Sequence, residues 1–199
     1  MRLDRKKLAA LLVLGLGAGI FALTLLQATV LPAAEEEGPR PPGAIAASEA
    51  APADAPVRLR IEKLGVDAKV QHVGVAKSGN MAVPTNYTDV GWYRYGTAPG
   101  FLGSAVMDGH VDNGLALPGV FKRLSDLRPG DELVVEAASG AERRFAVVDV
   151  ETYNYKEVPK EKLFTRTDAA WLNLITCDGT WIAGERTYDR RLVVYAKLI

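Results

Sequence analysis

The sequence has one cysteine, Cys177, in 199 residues. No disulfide can therefore close within the chain, and the thiol stays free, pairs with another chain or serves as a reactive group. Charge of either sign is not in excess, because 24 basic side chains balance 24 acidic ones. Nothing in that balance provides the basic face that a nucleic-acid footprint needs. Histidine is nearly as scarce as cysteine, with His72 and His110 alone, so a search for a base to partner the thiol is short. There is no internal repeat. From Leu8 to Leu31 the chain carries no charged side chain at all.

That uncharged stretch is long enough, at about 1.5 Å per residue, to cross a hydrocarbon core of roughly 30 Å. Arg2, Arg5, Lys6 and Lys7 precede it, which keeps residues 1–7 in the cytoplasm and sends the remainder outward. A cleaved signal peptide would have a shorter apolar core and small residues before the cut. The exit here, Val30-Leu31-Pro32-Ala33-Ala34, is a poor cleavage site, so residues 8–31 are expected to be an uncleaved transmembrane signal anchor. The apolar residues run all round the segment, which argues against a buried core helix with one apolar face. Residues 32–56 are rich in Ala, Pro and acids without apolar periodicity and read as a disordered stalk.

From Val57 the pattern changes to short alternating runs. Val57–Ile61, Ala68–Val73, Met81–Pro84, Val90–Tyr93, Ser104–His110, Glu132–Ala137, Arg143–Val150, Trp171–Cys177 and Arg190–Ile199 all read as strands. Val120, Phe121, Leu124 and Leu127 recur at helical spacing, so a short helix is expected over 118–127, and a helical turn or two over 160–170. Many short strands separated by turn residues describe a single all-β barrel or sandwich over 57–199. That length suffices for one self-contained core.

The run Trp171–Gly179 organises the domain. Leu172, Leu174 and Thr176 share one face of the strand, and Trp171, Asn173, Ile175 and Cys177 the other. The strand is expected to end on the thiol, with Gly179 at the turn. An ordinary thiol, with a pKa of about 8.5, is mostly protonated at neutral pH and needs a basic or cationic neighbour to act as a nucleophile. His72 sits within an alternating strand and reads as a barrel-wall residue. His110 ends a strand and opens a loop, where a general base is usually presented. Developing negative charge also needs a donor, and Arg186, Arg190 and Arg191 follow the thiol. If Leu192, Val194 and Ala196 fill the interior together with Leu172 and Leu174, then Arg191 and Cys177 point outward into one groove.

Leu174-Ile175-Thr176-Cys177, then Arg191-Leu192-Val193-Val194-Tyr195-Ala196, with Gly109-His110-Val111-Asp112 upstream, resembles the sortases. These are membrane-anchored cysteine transpeptidases of Gram-positive bacteria built on an eight-stranded β-barrel. Leu59-Arg60-Ile61, Lys63-Leu64-Gly65-Val66, Val90-Gly91-Trp92-Tyr93, Pro118-Gly119-Val120-Phe121 and Leu127-Arg128-Pro129-Gly130-Asp131 extend the resemblance over 57–199, and the set is most similar to the class F group. The resemblance implies that Cys177 is the nucleophile, His110 its acid/base partner and Arg191 the group that steadies substrate and oxyanion. Thr176 would line the substrate groove. The family commonly has Thr four residues before the Cys, where this chain has Asn173.

What the resemblance implies for function is cleavage of an LPxTG-type sorting signal between Thr and Gly through a Cys thioester. An amine, such as the cross-bridge of a peptidoglycan precursor, would then take the cargo protein. The partners would be LPxTG-bearing surface proteins, that amine acceptor and the lipid bilayer. The catalytic domain would lie on the extracellular side of the cell membrane. No cofactor, metal or nucleic acid is expected, and no acidic cluster stands out as a calcium site. Two other readings remain: a cell-wall cross-linker resembling the L,D-transpeptidases, which usually carry Gly-Cys-x-Arg where this chain has Thr176-Cys177-Asp178-Gly179, and a non-catalytic surface-exposed binding domain.

Overall fold

The computed structural model describes residues 38–39 and 52–199. The basic tail, the expected anchor and most of the expected stalk lie outside the described residues. The eight strands are β1 (Pro56–Ile61), β2 (Val66–Val73), β3 (Val90–Tyr93), β4 (Gly103–Asp108), β5 (Glu132–Ala137), β6 (Glu142–Asn154), β7 (Ala170–Ile182) and β8 (Thr187–Leu198). One short helix, α1 (Lys160–Phe164), sits between β6 and β7.

The strands close into a barrel in the order β1-β2-β3-β4-β7-β8-β6-β5, which decides for a barrel over a sandwich. The β2–β3 and β4–β7 pairs are parallel, and the other six are antiparallel. A parallel pair needs a crossover. The one between β2 and β3 runs through residues 74–89, and β5, β6 and α1 all intervene between β4 and β7.

Alternation places the core. Leu59 and Ile61 on β1 are fully buried, while Arg58 and Arg60 between them reach outward to Asp67 and Glu142. The interior fills with Leu59, Ile61, Trp92, Met107, Leu133, Phe145, Leu172, Leu174, Val194 and Ala196, among others. Gly65, with φ of 67°, makes the turn between β1 and β2 in a conformation that glycine adopts at no steric cost. The last residues expected to be stalk already belong to the barrel: Ala53 and Ala55 carbonyls accept from Ser139 and Ala138 (2.9 Å each), and Asp54 pairs with Arg143 at 2.8 Å.

Three expectations are corrected. Residues 118–127 bury Phe121, Leu124 and Leu127 as their spacing requires, but form turns and a single 3-10 turn, Leu124–Asp126, instead of a helix. The physical reason is where the amides go. Lys122, Leu124, Asp126 and Leu127 N–H each donate to the carbonyl three residues back, on Gly119, Phe121, Arg123 and Leu124, so successive tight turns take the amides that an i to i−4 ladder would need. Val120 and Phe121 N–H, which a helix starting here would leave unpaired, tie the segment to the Tyr87 and His110 carbonyls (2.8 and 3.0 Å). Met81–Pro84 is not a strand. Met81 makes one isolated bridge to Val75, and Pro84 has no N–H to extend a ladder.

The third correction concerns β7, which does not end at Cys177. It continues to Ile182 as a two-stranded ribbon with β8, with a register irregularity between Asp178 and Trp181. Gly179 marks that bulge, not the turn. Its φ is 86°, and a Cβ there would collide with the Asp189 carboxylate.

Candidate active site

Two faces of the same sheet divide the labour. Leu172, Leu174 and Thr176 on β7, with Leu192, Val194 and Ala196 on β8, face the barrel interior. Their neighbours in sequence face out and make a second apolar cluster, with Val106, Trp171, Val193 and Tyr195 buried beside Leu163 of the α1 segment. That segment is held down at several points. Asn173 Nδ2 donates to the Leu163 carbonyl at 2.6 Å, Phe164 packs edge-on against Tyr93 (5.4 Å between ring centroids), and Lys162 lies over the Tyr195 ring at 4.1 Å.

Cys177 lies on this outward face, half-buried, and its cross-strand partner is Arg191. Burial pushes the thiol pKa up; the Arg191 guanidinium pulls it down, and the Asp108 and Asp112 carboxylates add to the rise. The net direction is upward, so at neutral pH the resting sulfur is a protonated thiol that needs a base.

Arg191 is held by its own ribbon. Nη1 donates to the carbonyls of Tyr188 (2.9 Å) and Arg190 (2.8 Å), and Nη2 to Thr187 Oγ1 (2.8 Å). Among the described residues these account for three of the five guanidinium N–H groups, leaving two to meet an incoming oxygen. The neighbouring cations differ. Arg190 faces Asp178 at 3.6 Å, and Arg186 occupies the tip of the ribbon with φ of 53°.

His110 lies two residues beyond the end of β4, in the loop, and not on the strand end as the sequence implied. Its loop is stitched to β7 immediately before the thiol. Gly109 N–H donates to the Ile175 carbonyl (3.3 Å), and Thr176 Oγ1 donates to the Gly109 carbonyl (2.7 Å). No side chain fits at Gly109, because a Cβ would lie 2.6 Å from the Phe121 ring and 2.7 Å from Val120 Cγ1. The imidazole packs on Tyr87 (4.8 Å between centroids), and Nε2 lies 3.0 Å from the Pro84 carbonyl. A carbonyl can only accept, so Nε2 carries the proton of that bond and Nδ1 is the nitrogen that can exchange one.

Thr176, expected to line the groove, is 5% exposed. Its side chain faces inward and spends its hydroxyl on Gly109, which makes it the seam between the Cys strand and the His loop. His72 is where a wall residue should be: on β2, with Nε2 bonded to the Pro56 carbonyl (2.9 Å) and its ring edge-on to Trp92 (5.1 Å). A surface pocket of about 420 Å³ lined by Leu64, Tyr87, Pro118, Lys122 and Arg123 lies behind the His110 loop and has no lining from Cys177.

Sequence reasoning did not assign Asp112 or Tyr188 to the site. The Tyr188 hydroxyl donates to both oxygens of the Asp112 carboxylate (2.8 and 2.7 Å). Asp112 stands two residues after His110, which was a usable signal. Tyr188 precedes the expected start of the closing strand, and only the extended β7–β8 ribbon brings it there.

A family model described as the sortase domain matches residues 59–199. Solved structures share the fold. Sortase C-1 from Actinomyces oris is 20% identical with a TM-score of 0.56, over 71% of this chain and 72% of that one. Sortase A from Corynebacterium diphtheriae is 19% identical with a TM-score of 0.57, over 71% of this chain and 59% of that one. The Clostridium perfringens sortase D5 transpeptidase is 20% identical with a TM-score of 0.51, over 71% and 77%. No curated protein matches the chain.

Proposed function

The chain belongs to the sortase family, and on that footing we propose that it is a membrane-anchored cysteine transpeptidase acting on LPxTG-type sorting signals. The observation that carries the reading is the pairing of Cys177 with Arg191 across β7 and β8, next to a His110 loop sewn to the residues just before the thiol. Family membership sets aside the L,D-transpeptidase reading.

In the proposed reaction His110 Nδ1 removes the Cys177 proton as sulfur attacks the carbonyl carbon of the signal's Thr. The tetrahedral oxyanion meets the two remaining N–H groups of Arg191, donors already fixed in direction before charge develops. As the C–N bond to Gly breaks, His110 returns the proton to the leaving amine, and the cargo remains as a Cys177 thioester. A second amine then attacks, His110 taking its proton. The thiol regains a proton as the new amide forms, so no net proton or electron is consumed.

The acceptor in this reading is the amine of a peptidoglycan precursor, and the cargo is a surface protein. The uncharged run Leu8–Leu31 behind its basic flank supports a single-pass anchor, with the barrel on the extracellular side of a Gram-positive cell membrane. The motifs quoted above favour the class F group. The test is incubation of the purified chain with a quenched LPxTG peptide, with and without an added amine, followed by mass spectrometry. A thioester on Cys177 and an amide product, both lost in Cys177→Ala, are expected. A folded chain that forms neither, and whose thiol resists alkylation, would instead be a binding domain.

A further inference from the structure

The three proposed reacting groups come from separately held pieces of chain. Cys177 is on the barrel wall, His110 on the loop after β4, and Arg191 at the point where the β7–β8 ribbon leaves the barrel. The loop and the ribbon both have weakly supported outer ends: Leu115 and Leu117 are 49% and 54% exposed on one, Trp181 52% on the other. Relative movement of these two pieces would separate the base from the oxyanion donor.

One residue touches both. The Tyr188 side chain donates to the Asp112 carboxylate on the His110 loop, and the Tyr188 carbonyl accepts from Arg191 Nη1. Trp181 packs edge-on against the Tyr188 ring (5.3 Å between centroids) and fixes its direction. We infer that Asp112 and Tyr188 form a latch that sets His110 in register with Arg191 and Cys177, and that both are positioning residues of the acyl transfer. The inference rests on the transpeptidase reading above.

The chemistry fits a positioning role better than an electrostatic one. Asp112 is 16% exposed at its side chain, so its bond to the phenol is a charge-assisted one shielded from water. Its other partner, Lys122, is 3.9 Å away and 48% exposed, where screening leaves little attraction. Burial, then the bond to Asp112, pushes the Tyr188 pKa up to about 12, so the phenol stays a donor across the working pH range. The Asp112 charge disfavours the thiolate. What the carboxylate contributes must therefore come through the bond it accepts.

Charge and bond can be separated. Asp112→Asn removes the charge and keeps an oxygen that accepts from Tyr188. Asp112→Ala and Tyr188→Phe each remove the bond. Using the full chain, kcat and KM for an LPxTG peptide with added amine are expected to change in kcat for the last two, by roughly tenfold to a hundredfold, with KM little altered. The double variant should be no worse than either single one, because both break one interaction. Asp112→Asn should keep most of the turnover. Additive losses in the double variant, or an Asp112→Asn as impaired as Asp112→Ala, overturn the latch.

A second measurement needs no substrate. Cys177 is faced by Arg191 and Tyr188 from β8, by Asp108 from β4, and by Asp112 from the loop that carries His110, while Asp178 beside it pairs with Arg190. The rate of Cys177 alkylation against pH reports how His110 stands to the thiol. His110→Ala should change that profile in the wild-type background and change it much less in Tyr188→Phe. An equal effect in both backgrounds, or no effect in the wild type, overturns the latch. If Tyr188→Phe does not fold, Asp112→Ala serves as the background. A wild-type chain that shows the alkylation coupling but turns over no sorting peptide leaves the latch standing and removes the transpeptidase reading.

Discussion

Cys177 and Arg191 are directly opposed residues of the antiparallel β7–β8 pair, so the proposed nucleophile and the proposed oxyanion donor are fixed to each other by backbone register. A slip of one residue would turn one of them into the barrel. The Leu172, Leu174, Val194 and Ala196 side chains, all fully buried, make such a slip costly by carrying the core on the alternate face. The His110 loop has no such register; a backbone bond from Gly109 N–H to the Ile175 carbonyl and side-chain bonds from Thr176 and Tyr188 tie it to β7 and β8.

Arg191→Lys is expected to lose most of the activity that Arg191→Ala loses. The guanidinium sits between the Tyr188 and Arg190 carbonyls and Thr187 Oγ1, a fork that a single ammonium cannot fill while also reaching an oxyanion. Loss of one oriented donor of this type costs on the order of 10²–10³ in kcat. Steady-state kinetics on a sorting peptide decide it, and a Lys variant with wild-type kcat would refute the role.

Stability should fall at alkaline pH because of Cys177. The unfolded thiol ionises near pH 8.5, about the ordinary value, whereas the folded one has its pKa raised by burial. Above the unfolded value the unfolded chain sheds a proton that the folded chain still holds, so rising pH favours unfolding. The effect is absent below that value. Urea denaturation of wild type and Cys177→Ala, each at neutral and at alkaline pH, should show a larger alkaline loss in the wild type.

The sheet phases were legible in the sequence because alternation and burial are the same physics. Leu172 and Leu174 set which face Cys177 occupies, and Leu192, Val194 and Ala196 did so for Arg191. The 118–127 segment misled because helical spacing of apolar residues reports burial, which was right, and not the destination of the amides, which close successive three-residue turns. The run of β7 past Cys177 was hidden by Gly179, whose turn-like signal is spent on a bulge. Tyr188 was beyond sequence reasoning for the same reason.

Asn173 is fully buried, and its Nδ2 bonds the Leu163 carbonyl at 2.6 Å while Oδ1 has no hydrogen-bond partner among the described residues. Asn173→Leu removes the donor and leaves that carbonyl unpaired under α1. A loss of about 1–3 kcal/mol is expected for one buried polar group stranded in this way. Chemical denaturation measures it. Because Leu163 and Phe164 cover the outward apolar face beside the site, a rise in KM for the sorting peptide should accompany the loss.

Thr176 separates two accounts of itself. If it lined the groove, its methyl and hydroxyl would meet substrate, and Thr176→Val would act mainly on KM. The structure turns it inward, with Oγ1 donating to the Gly109 carbonyl at 2.7 Å, one residue before His110. Valine keeps the shape and strands that carbonyl, at a cost of about 1–3 kcal/mol, and leaves the Gly109 N–H bond to the Ile175 carbonyl (3.3 Å) to hold the His110 loop to the strand that bears the thiol. Serine keeps the donor and loses only a methyl group. Thr176→Val is therefore expected to lower kcat and melting temperature together, and Thr176→Ser to retain kcat with a smaller loss of stability. Kinetics and thermal melts of the two variants decide the matter, and a Val variant with normal kcat and raised KM would return Thr176 to the groove.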